Sequence, residues 1–215
     1  DISWEKQGNF NAGFDFEFFN GRLGGSVDYF YRKTSDQLFF FPLPPSMGYT
    51  GYYANVGDMS NNGVEVDLKA TPVKTKDFEW NINLNFTSYK NKITYLPEER
   101  KTMEVDGVKG FSSGSYFYGE GQPIYTMHLK DYAGVDEKGQ SLWWMNKEQA
   151  VVDADGNPMM DADGKPMMET VKVKTDNYDA ASYYLCGTTL PDAYGGFGTS
   201  LTWKGFDFSI DFAYQ

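Results

Sequence analysis

The chain has one cysteine, one histidine and no apolar run long enough for a membrane-spanning helix, and these shortages exclude several classes of protein. Cys186 stands alone, so no disulfide can form within the chain, and a packed thiol near a strand is expected. His128 has no second histidine or cysteine near it in the sequence, so a metal site there is not expected. A transmembrane helix needs about 18 or more consecutive apolar residues. The sequence therefore excludes a disulfide-stapled domain and a helical membrane protein, and it disfavours a zinc protein.

Basic residues are also scarce. The 215 residues include 19 Lys and Arg against 30 Asp and Glu, which gives a formal net charge of −11. Nucleic-acid binding needs clustered cations, so no nucleic-acid partner is expected. The sequence contains no glycine-rich phosphate loop, nucleophile elbow or zinc motif. It therefore gives no positive support for an enzyme or for a bound cofactor.

Aromatic residues and glycine are what the chain has in quantity. Phe, Tyr and Trp make up 18% of the residues, and there are 23 glycines. Such a composition is typical of sheets with many turns, and amphipathic rings also gather at membrane interfaces. The chain opens without a signal peptide, and residues 208–215 read as an unfinished strand. We therefore expect both ends to continue in a longer polypeptide.

Alternation of apolar and polar residues predicts eight strands. In the first, residues 7–18, Phe14 and Phe16 share one face with other aromatic residues, while Asp15 and Glu17 lie on the opposite face. About ten residues suffice to cross a bilayer when the strand is tilted. The other predicted strands lie at about 23–32, 64–70, 78–87, 124–135, 141–147, 195–203 and 206–214. The polar face of the fourth carries Asn81, Asn83 and Asn85, which suits a wet surface.

The predicted strands are joined in turn by short turns and long loops. The short connections are Asn20-Gly21, Thr71 to Asp77, Asp136 to Gly139 and Lys204-Gly205. The long connections are 33–62, 91–122 and 148–189. Outer-membrane barrels have tight periplasmic turns and extended extracellular loops, whereas strands of soluble sandwiches are shorter and their connections are not sorted in this way. The predicted fold is an all-β, antiparallel up-and-down transmembrane β-barrel, here a partial segment of about eight strands. A soluble carbohydrate-binding β-sandwich is the alternative.

Aromatic residues in the long loops are the candidate contacts for a substrate or a partner protein. They are Tyr49, Tyr52 and Tyr53 in the first loop and Tyr116, Phe117 and Tyr118 in the second. Aromatic faces stack on sugar rings and on apolar ligand surfaces, but they equally pack loop against loop.

A tandem repeat in the third loop gives the one metal hypothesis. Asp-Ala-Asp-Gly occurs at 153–156 and again at 161–164, and each copy ends in Pro-Met-Met. The pattern resembles the start of a calcium loop, with Asp153, Asp155, Asp161 and Asp163 as candidate ligands. It lacks the later ligands and the bidentate Glu of such a loop, so a duplicated turn at a loop tip is the simpler interpretation. The paired methionines are unusual for an exposed loop and suggest contact with a partner.

Several segments, in order along nearly the whole chain, resemble the late barrel of the SusC/RagA-type TonB-dependent transporters of Bacteroidetes. They are Trp4-Glu5-Lys6, Asn20 to Leu23 with Asp28-Tyr29, Lys33 to Leu38, Pro42-Leu43-Pro44, Asn55-Val56-Gly57, Asn62 to Glu65, Trp80 to Asn83, Leu190 to Gly198 and Lys204 to Asp207. No single motif is decisive, but their order and spacing are specific together. The Asp-Ala-Asp-Gly repeat falls outside the resemblance.

The resemblance implies a part of a large outer-membrane barrel that imports bulky nutrients, usually glycans and sometimes peptides. Residues 1–215 are then all barrel domain, and the plug domain and TonB box lie outside these residues. The implied partners are a SusD-like surface lipoprotein, TonB through its box, outer-membrane lipid and the glycan or peptide substrate. Asn81, Asn83 and Asn85 are expected to face the lumen or the plug. Trp80, Trp203 and Phe206 are expected in an aromatic girdle on the periplasmic side. Another outer-membrane barrel, such as a siderophore-type receptor or an adhesin, is the nearest rival.

Overall fold

The computed structural model describes residues 2–154 and 156–215 and, for residues 41 and 42, the main chain only. The first half of the described chain contains β1 (Lys6–Phe18), β2 (Leu23–Ser35), β3 (Leu38–Pro42), β4 (Gly51–Asn55), β5 (Asp58–Lys74), β6 (Phe78–Tyr95), β7 (Met103–Val105) and β8 (Val108–Ser113). The second half contains β9 (Tyr116–Gly119), β10 (Thr126–Lys130), β11 (Tyr132–Val135), β12 (Ser141–Ala150), β13 (Met168–Thr175), β14 (Tyr183–Thr188), β15 (Ala193–Trp203) and β16 (Phe206–Tyr214). Two 3-10 turns, Pro45–Met47 and Glu98–Arg100, are the helical elements of the described residues, and no helix there is long and apolar enough to cross a membrane.

Six long strands form one antiparallel sheet, in the order β1-β2-β5-β6-β15-β16, and we call this sheet the wall. Its register brings the apolar positions into rows, because residues directly opposite each other in an antiparallel pair share a face. One such row runs from Phe14 through Val27, Val66 and Phe86. The predicted alternation is thereby confirmed in all six strands, and so is the antiparallel all-β fold class.

In the described part of the chain the wall has six strands, so the expectation of about eight was wrong. β6 pairs directly with β15 from Phe78 to Ser88, which leaves no place between them for the two extra strands predicted at 124–135 and 141–147. Those residues form β10, β11 and β12, which belong to smaller sheets within the connection from β6 to β15. β10 and β11 have five and four residues, too few to cross a bilayer, which takes about nine to eleven.

The turn at Asp136 to Gly139 is consequently misplaced by the sequence prediction as well. It was expected among the short periplasmic turns, but it lies inside a long connection that leaves and re-enters the wall at the opposite end. The short wall turns are residues 19–22, 75–77 and 204–205, and they all lie at one end of the sheet. The connections 36–57 and 96–192 both lie at the other end, so the asymmetry of short turns and long loops is confirmed.

The long connections are themselves built of strands. β2 and β5 extend into the predicted loop 33–62, and the residues between them form the β3–β4 hairpin. Pro42 ends β3, in a two-stranded sheet where a missing N–H is tolerated. Beyond β6, a five-stranded sheet (β14-β10-β9-β8-β7) and a three-stranded sheet (β11-β12-β13) complete what we call the loop assembly, residues 36–57 and 96–192.

The hydrophobic cluster of buried residues in the described chain lies where the loop assembly meets the top of β6, not in the wall. It consists of Ile93, Leu96, Phe111 and Tyr118, with Phe39, Val56, Tyr116 and Ile124 packed around them. A barrel wall is a single sheet, so both of its faces need other partners. The buried hydrophobic core of the described residues therefore lies in the loop assembly and at the top of β6, and not between two layers of the wall.

Candidate functional site

The outer face of the wall has the dimensions of a membrane-spanning band. Its apolar rows begin at Phe78, Trp203 and Phe206 and end near Ser88. Ten residues of strand rise about 34 Å, and a tilt of about 40° reduces this to about 26 Å, close to the apolar height of about 25 Å seen in outer-membrane barrels. Trp80 lies one row further in and donates its indole N–H to the Thr199 hydroxyl at 2.7 Å. The aromatic residues predicted near the short turns therefore lie at that edge of the band.

The inner face of the same strands is polar and predominantly acidic. Asp28 lies directly opposite Glu65, and the next row places Asp67 opposite Asn85. The acidic residues of the inner rows are Asp15, Glu17, Asp28, Glu65, Asp67, Glu79, Asp207 and Asp211. Gly196 and Gly198 of β15 lie directly opposite Asn85 and Asn83 of β6, so each of these amide side chains has a residue without a side chain as its neighbour on β15. The alternation predicted from Asn81, Asn83 and Asn85 thus produces a polar surface, opposite in character to the outer face.

Acidic side chains make ion pairs and hydrogen bonds both at the top of the wall and within the loop assembly. Asp58, the first residue of β5, pairs with Lys33 at 3.2 Å and accepts from the Ser35 hydroxyl at 3.2 Å. Glu120 accepts the Leu96 backbone N–H at 2.8 Å and pairs with Lys101 at 3.3 Å. The Leu96 N–H, followed by Lys101, lowers the pKa of Glu120 below its ordinary value. The loop assembly is attached to the wall by the Asp36 backbone N–H, which donates to the Asp58 carboxylate at 3.2 Å, and by two backbone hydrogen bonds between Ile93 and residues 121–122, both 2.9 Å long.

The six loop aromatics singled out by the sequence differ in exposure: three are exposed, two are buried and one is half-buried. Tyr49, Tyr52 and Tyr53 lie on the β3–β4 hairpin with exposed side chains. Phe117 is fully buried and Tyr118 nearly so, in the interior of the loop assembly. Tyr116 is half-buried, with its ring edge-on to Tyr125 at 5.4 Å. Tyr49, Tyr52 and Tyr53 are therefore the residues of this set that a ligand in solvent can reach, while Phe117 and Tyr118 pack one loop segment against another.

The loop assembly also carries exposed tyrosines that the sequence analysis did not single out. Tyr132, Tyr178 and Tyr183 each expose about half of their surface. The Lys130 ammonium lies 4.3 Å from the centroid of the Tyr178 ring and donates to the Tyr178 carbonyl at 2.7 Å. No local sequence signal distinguishes these tyrosines from packed ones, because their exposure depends on how β10, β12 and β14 are arranged.

A second cation–aromatic contact joins the two smaller sheets. Lys172 lies 4.2 Å from the ring centroid of Tyr184 and 5.0 Å from that of Trp144, and it pairs with Asp131 at 3.1 Å. The Tyr184 hydroxyl donates to Asn146 at 2.6 Å. Since these groups satisfy one another, we interpret them as a structural link between β12–β13 and β14.

The tandem repeat folds as two small hairpins at the tip of β12–β13. The bridges Val152 to Pro158 and Met160 to Pro166 close the hairpins. Three backbone hydrogen bonds then form a ring. Met159 donates to Val151 at 2.7 Å, Met167 donates to Met159 at 2.8 Å, and Val151 donates to Met167 at 2.8 Å. The two hairpins of the eight-residue repeat and the end of β12–β13 therefore meet at this ring of three hydrogen bonds, which we call the hydrogen-bonded tip.

Asp153 and Asp161, the first residue of each copy of the repeat, accept hydrogen bonds in its turns. The Asp153 carboxylate accepts the Asn157 N–H at 2.9 Å, and that of Asp161 accepts the N–H groups of Asp163 and Lys165, each at 2.9 Å. Within residues 2–154 and 156–215, no three His, Cys, Asp or Glu side chains are grouped closely enough to hold a metal ion. Asp155 lies outside the described residues, so calcium binding by the four aspartates stays a prediction.

His128 and Cys186 both occupy packed positions. The His128 ring lies between those of Phe117 and Tyr183, at 5.9 and 5.0 Å, with Nδ1 3.1 Å from the Ser112 hydroxyl. Burial lowers the pKa of His128 and raises that of Cys186, whose thiol is directed at the Leu129 carbonyl at 3.7 Å. Both arrangements are those of structural side chains.

Comparison with known proteins identifies the family. The family model described as TonB dependent receptor-like, beta-barrel matches residues 1–124. The chain is 30% identical over 214 residues to TonB-dependent receptor P26 of Formosa agariphila, covering 98% of this chain and 20% of the relative. It is 28% identical over 217 residues to TonB-dependent receptor SusC of Bacteroides thetaiotaomicron, covering 97% and 19%.

Solved structures agree with these relatives. A structure of the RagAB peptide transporter matches with a TM-score of 0.74 and 32% identity, over 99% of this chain and 21% of that one. A structure of the RagAB peptide importer in the 'closed-closed' state matches with a TM-score of 0.72 and 34% identity, over 100% and 21%. The chain spans about a fifth of the length of the relatives it matches. It belongs to the TonB-dependent receptor-like β-barrel family, of SusC/RagA type, and its six-stranded sheet is part of an outer-membrane barrel wall.

Proposed function

We propose that the protein containing this chain imports bulky nutrients, oligosaccharides or peptides, across the outer membrane in a TonB-dependent manner. In this proposal it is the barrel subunit of a complex with a SusD-like surface lipoprotein. The observation that carries the proposal is the contrast between the two faces of the wall. An apolar outer face and a polar inner face are what a barrel needs to sit in lipid and to pass hydrophilic cargo.

The inner face supports a hydrophilic cargo in particular. Asn81, Asn83 and Asn85 line one strand, and each amide both donates and accepts hydrogen bonds, as sugar hydroxyls and peptide groups do. Eight acidic side chains on the inner rows outnumber the cations there, which are Lys69, Lys74 and Arg32. A negative lumen wall disfavours polyanionic cargo, so neutral or basic oligomers are the proposed substrates of this barrel.

The loop assembly supports capture of cargo at the long-connection side. Tyr49, Tyr52 and Tyr53 present exposed rings on a hairpin that is held to the wall at its base, where the Asp36 N–H donates to the Asp58 carboxylate at 3.2 Å. Such rings stack on sugars and on apolar peptide side chains alike. The RagAB relatives are named as a peptide transporter and a peptide importer, so the proposed substrates include peptides as well as glycans.

A growth experiment tests the proposal. A strain lacking the full-length gene is grown on a panel of single carbon or nitrogen sources that includes neutral glycans, polyanionic glycans and peptides. We expect loss of growth on one neutral or basic oligomer, with rescue by the wild-type gene. Rescue should fail with a gene that lacks its TonB-interacting segment, and the monomeric building block should support growth in every strain.

The rivals give different outcomes. A siderophore-type receptor predicts growth on all of these sources and a defect only when iron is limiting. An adhesin predicts unchanged growth and loss of surface attachment. Either outcome contradicts nutrient import. Co-purification of a surface lipoprotein encoded beside the gene, with uptake lost when that lipoprotein is deleted, tests the proposed partnership separately.

A further inference from the structure

Two lysines lie on the outer face of the wall just beyond the apolar band. Lys90 and Lys92 continue the outward-facing positions of β6, two and four residues past Ser88. With a rise of about 3.4 Å per residue and a strand tilt of about 40°, Lys90 lies about 5 Å beyond Ser88 on the long-connection side. Polar headgroups occupy about 5–8 Å beyond the hydrocarbon core of each leaflet. Both lysines therefore lie at or just above headgroup level in the outer leaflet.

These lysines have no acidic partner among the described residues. Both side chains are exposed, and within the ranges 2–154 and 156–215 neither takes part in an ion pair. Lys33, an outward cation in the row of Lys92, is neutralised by Asp58 at 3.2 Å. In a chain with a net charge of −11, two neighbouring outward lysines without counter-ions are available for an anion from outside these residues.

A groove of about 350 Å³ opens beside them. One side of it is the start of β15, where the Asp192 carbonyl accepts from the Ser88 hydroxyl at 2.8 Å. The other side is the segment 121–123, which is held to β6 by backbone hydrogen bonds to and from Ile93, both 2.9 Å long. Its lining includes Lys90, Lys92, Asn62, Thr188, Leu190 and Asp192. The backbone therefore preforms the groove, and cations outnumber acids in it.

The rows below the groove are suited to lipid. Tyr31 shares the row of Lys90 through Asn62, and Tyr29 shares the next row with Val64. Both tyrosines are exposed at this edge of the band, where amphipathic rings are favoured. A molecule with an anionic, hydroxyl-rich head and apolar tails would contact the lysines, the Asn62 amide and these rings in that order.

We propose that this groove binds the phosphate-bearing sugar headgroup of an outer-leaflet glycolipid, the lipid A type of headgroup. The phosphate pairs with Lys90 and Lys92, and the sugar hydroxyls meet Asn62. The acyl chains descend along Tyr31, Tyr29 and Val64. Basic pockets at the membrane interface bind anionic headgroups by this combination of charge and depth. The site faces away from the lumen, so its role is to bind a particular lipid at the outer surface of the barrel and not to bind cargo.

Native mass spectrometry of the full-length protein in detergent, with defined lipid A added, tests the assignment. The variant K90Q/K92Q is compared with the wild type and with K69Q/K138Q, which removes one inner-wall lysine and one loop lysine. We expect K90Q/K92Q to weaken lipid A binding roughly tenfold to thirtyfold, as two interfacial cations are lost. The control pair should stay within about twofold of the wild type, because neither of its lysines lies at the groove. K90R/K92R should bind nearly as well as the wild type.

Two probes identify the ligand chemistry on the wild-type protein itself. Dephosphorylated lipid A should bind as weakly to the wild type as intact lipid A binds to K90Q/K92Q. Inorganic phosphate in large excess should not displace lipid A, because it lacks the sugar and the acyl chains. Equal binding of both lipids, equal binding by K90Q/K92Q, or displacement by inorganic phosphate would each overturn the assignment. Because no nutrient is present, the result is independent of the proposed import function.

Discussion

Leu84 and Asn85 are consecutive residues of β6, and substituting lysine at each gives a direct comparison of the two faces of the wall. Leu84 lies between Leu68 and Phe197 on the outer face. Asn85 lies between Asp67 and Gly196 on the inner face, at the same depth. Both variants therefore add the same charge to the same part of the strand.

The expected effects differ in size. A lysine at mid-depth on the lipid face of a barrel costs about 2–4 kcal/mol. On the inner face, the ammonium group introduced by N85K would meet water and the opposite Asp67, and a cross-strand pair of opposite charge contributes about 0.2–1 kcal/mol of stabilisation. We therefore expect L84K to lower the free energy of unfolding by about 3 kcal/mol and N85K to change it by less than about 1 kcal/mol.

The assay is denaturant unfolding of the full-length protein in phospholipid vesicles, followed by tryptophan fluorescence and by heat-modifiable gel migration. A neutral pair, L84A and N85A, controls for the loss of each native side chain. Equal losses for the two lysine variants would refute the face assignment, and a larger loss for N85K would reverse it.

Three further predictions concern the packing of the loop assembly and of the wall. Replacing fully buried Phe117 by alanine should destabilise the loop assembly by about 3–5 kcal/mol, seen as faster proteolysis of residues 96–192 while the wall still inserts. Burial lowers the pKa of His128 in the folded state, so its stabilising contribution is present above its ordinary pKa of 6.5 and is lost as the pH falls through the folded value. Protease resistance of the loop assembly should therefore fall from pH 7 to 5 more steeply in the wild type than in H128Q. Alanine at Gly195 would push its Cβ into the Asn85 carbonyl oxygen and should cost about 1–3 kcal/mol in denaturant unfolding, whereas G8A, whose Cβ meets nothing, should cost much less.

The faces of the wall strands could be predicted from the sequence because they depend on a local property. A strand exposes alternate residues on opposite faces, so Phe14 and Asp15 reveal their environments wherever the strand lies in the sheet. The turn residues act in the same local way. Asn20 and Gly21 both take positive φ, as a tight hairpin requires, and the short connection there was predicted correctly.

Wall membership could not be predicted in this way, because it depends on which strands pair over long distances. The hairpin that turns at Asp136–Gly139 carries the same signal as a wall hairpin, namely two apolar stretches joined by a turn. The ladder between β6 and β15, which links residues more than a hundred positions apart, decides its place. Nothing in residues 124–147 alone records that ladder.

The loop interior was beyond sequence prediction for a related reason. Tyr49 and Phe117 both stand in aromatic, glycine-containing segments, yet one is exposed and the other is fully buried. Their difference depends on the packing of β8, β9 and β10 against the top of β6. The hydrogen-bonded tip at Val151, Met159 and Met167 is a similar case. The eight-residue repeat is visible in the sequence, but the ring of hydrogen bonds forms only when β12 and β13 pair.

Cysteine labelling on intact cells tests most directly whether the wall has six strands whose long connections both lie outside the cell. In a full-length protein with Cys186 replaced by serine, K138C and K76C are exposed to a membrane-impermeant maleimide. Lys138 lies in the turn that a wall of eight strands would place in the periplasm, and Lys76 lies in a short wall turn. The structure predicts labelling of K138C without permeabilisation and labelling of K76C only after it. Protection of K138C on intact cells, or labelling of K76C there, would contradict the account.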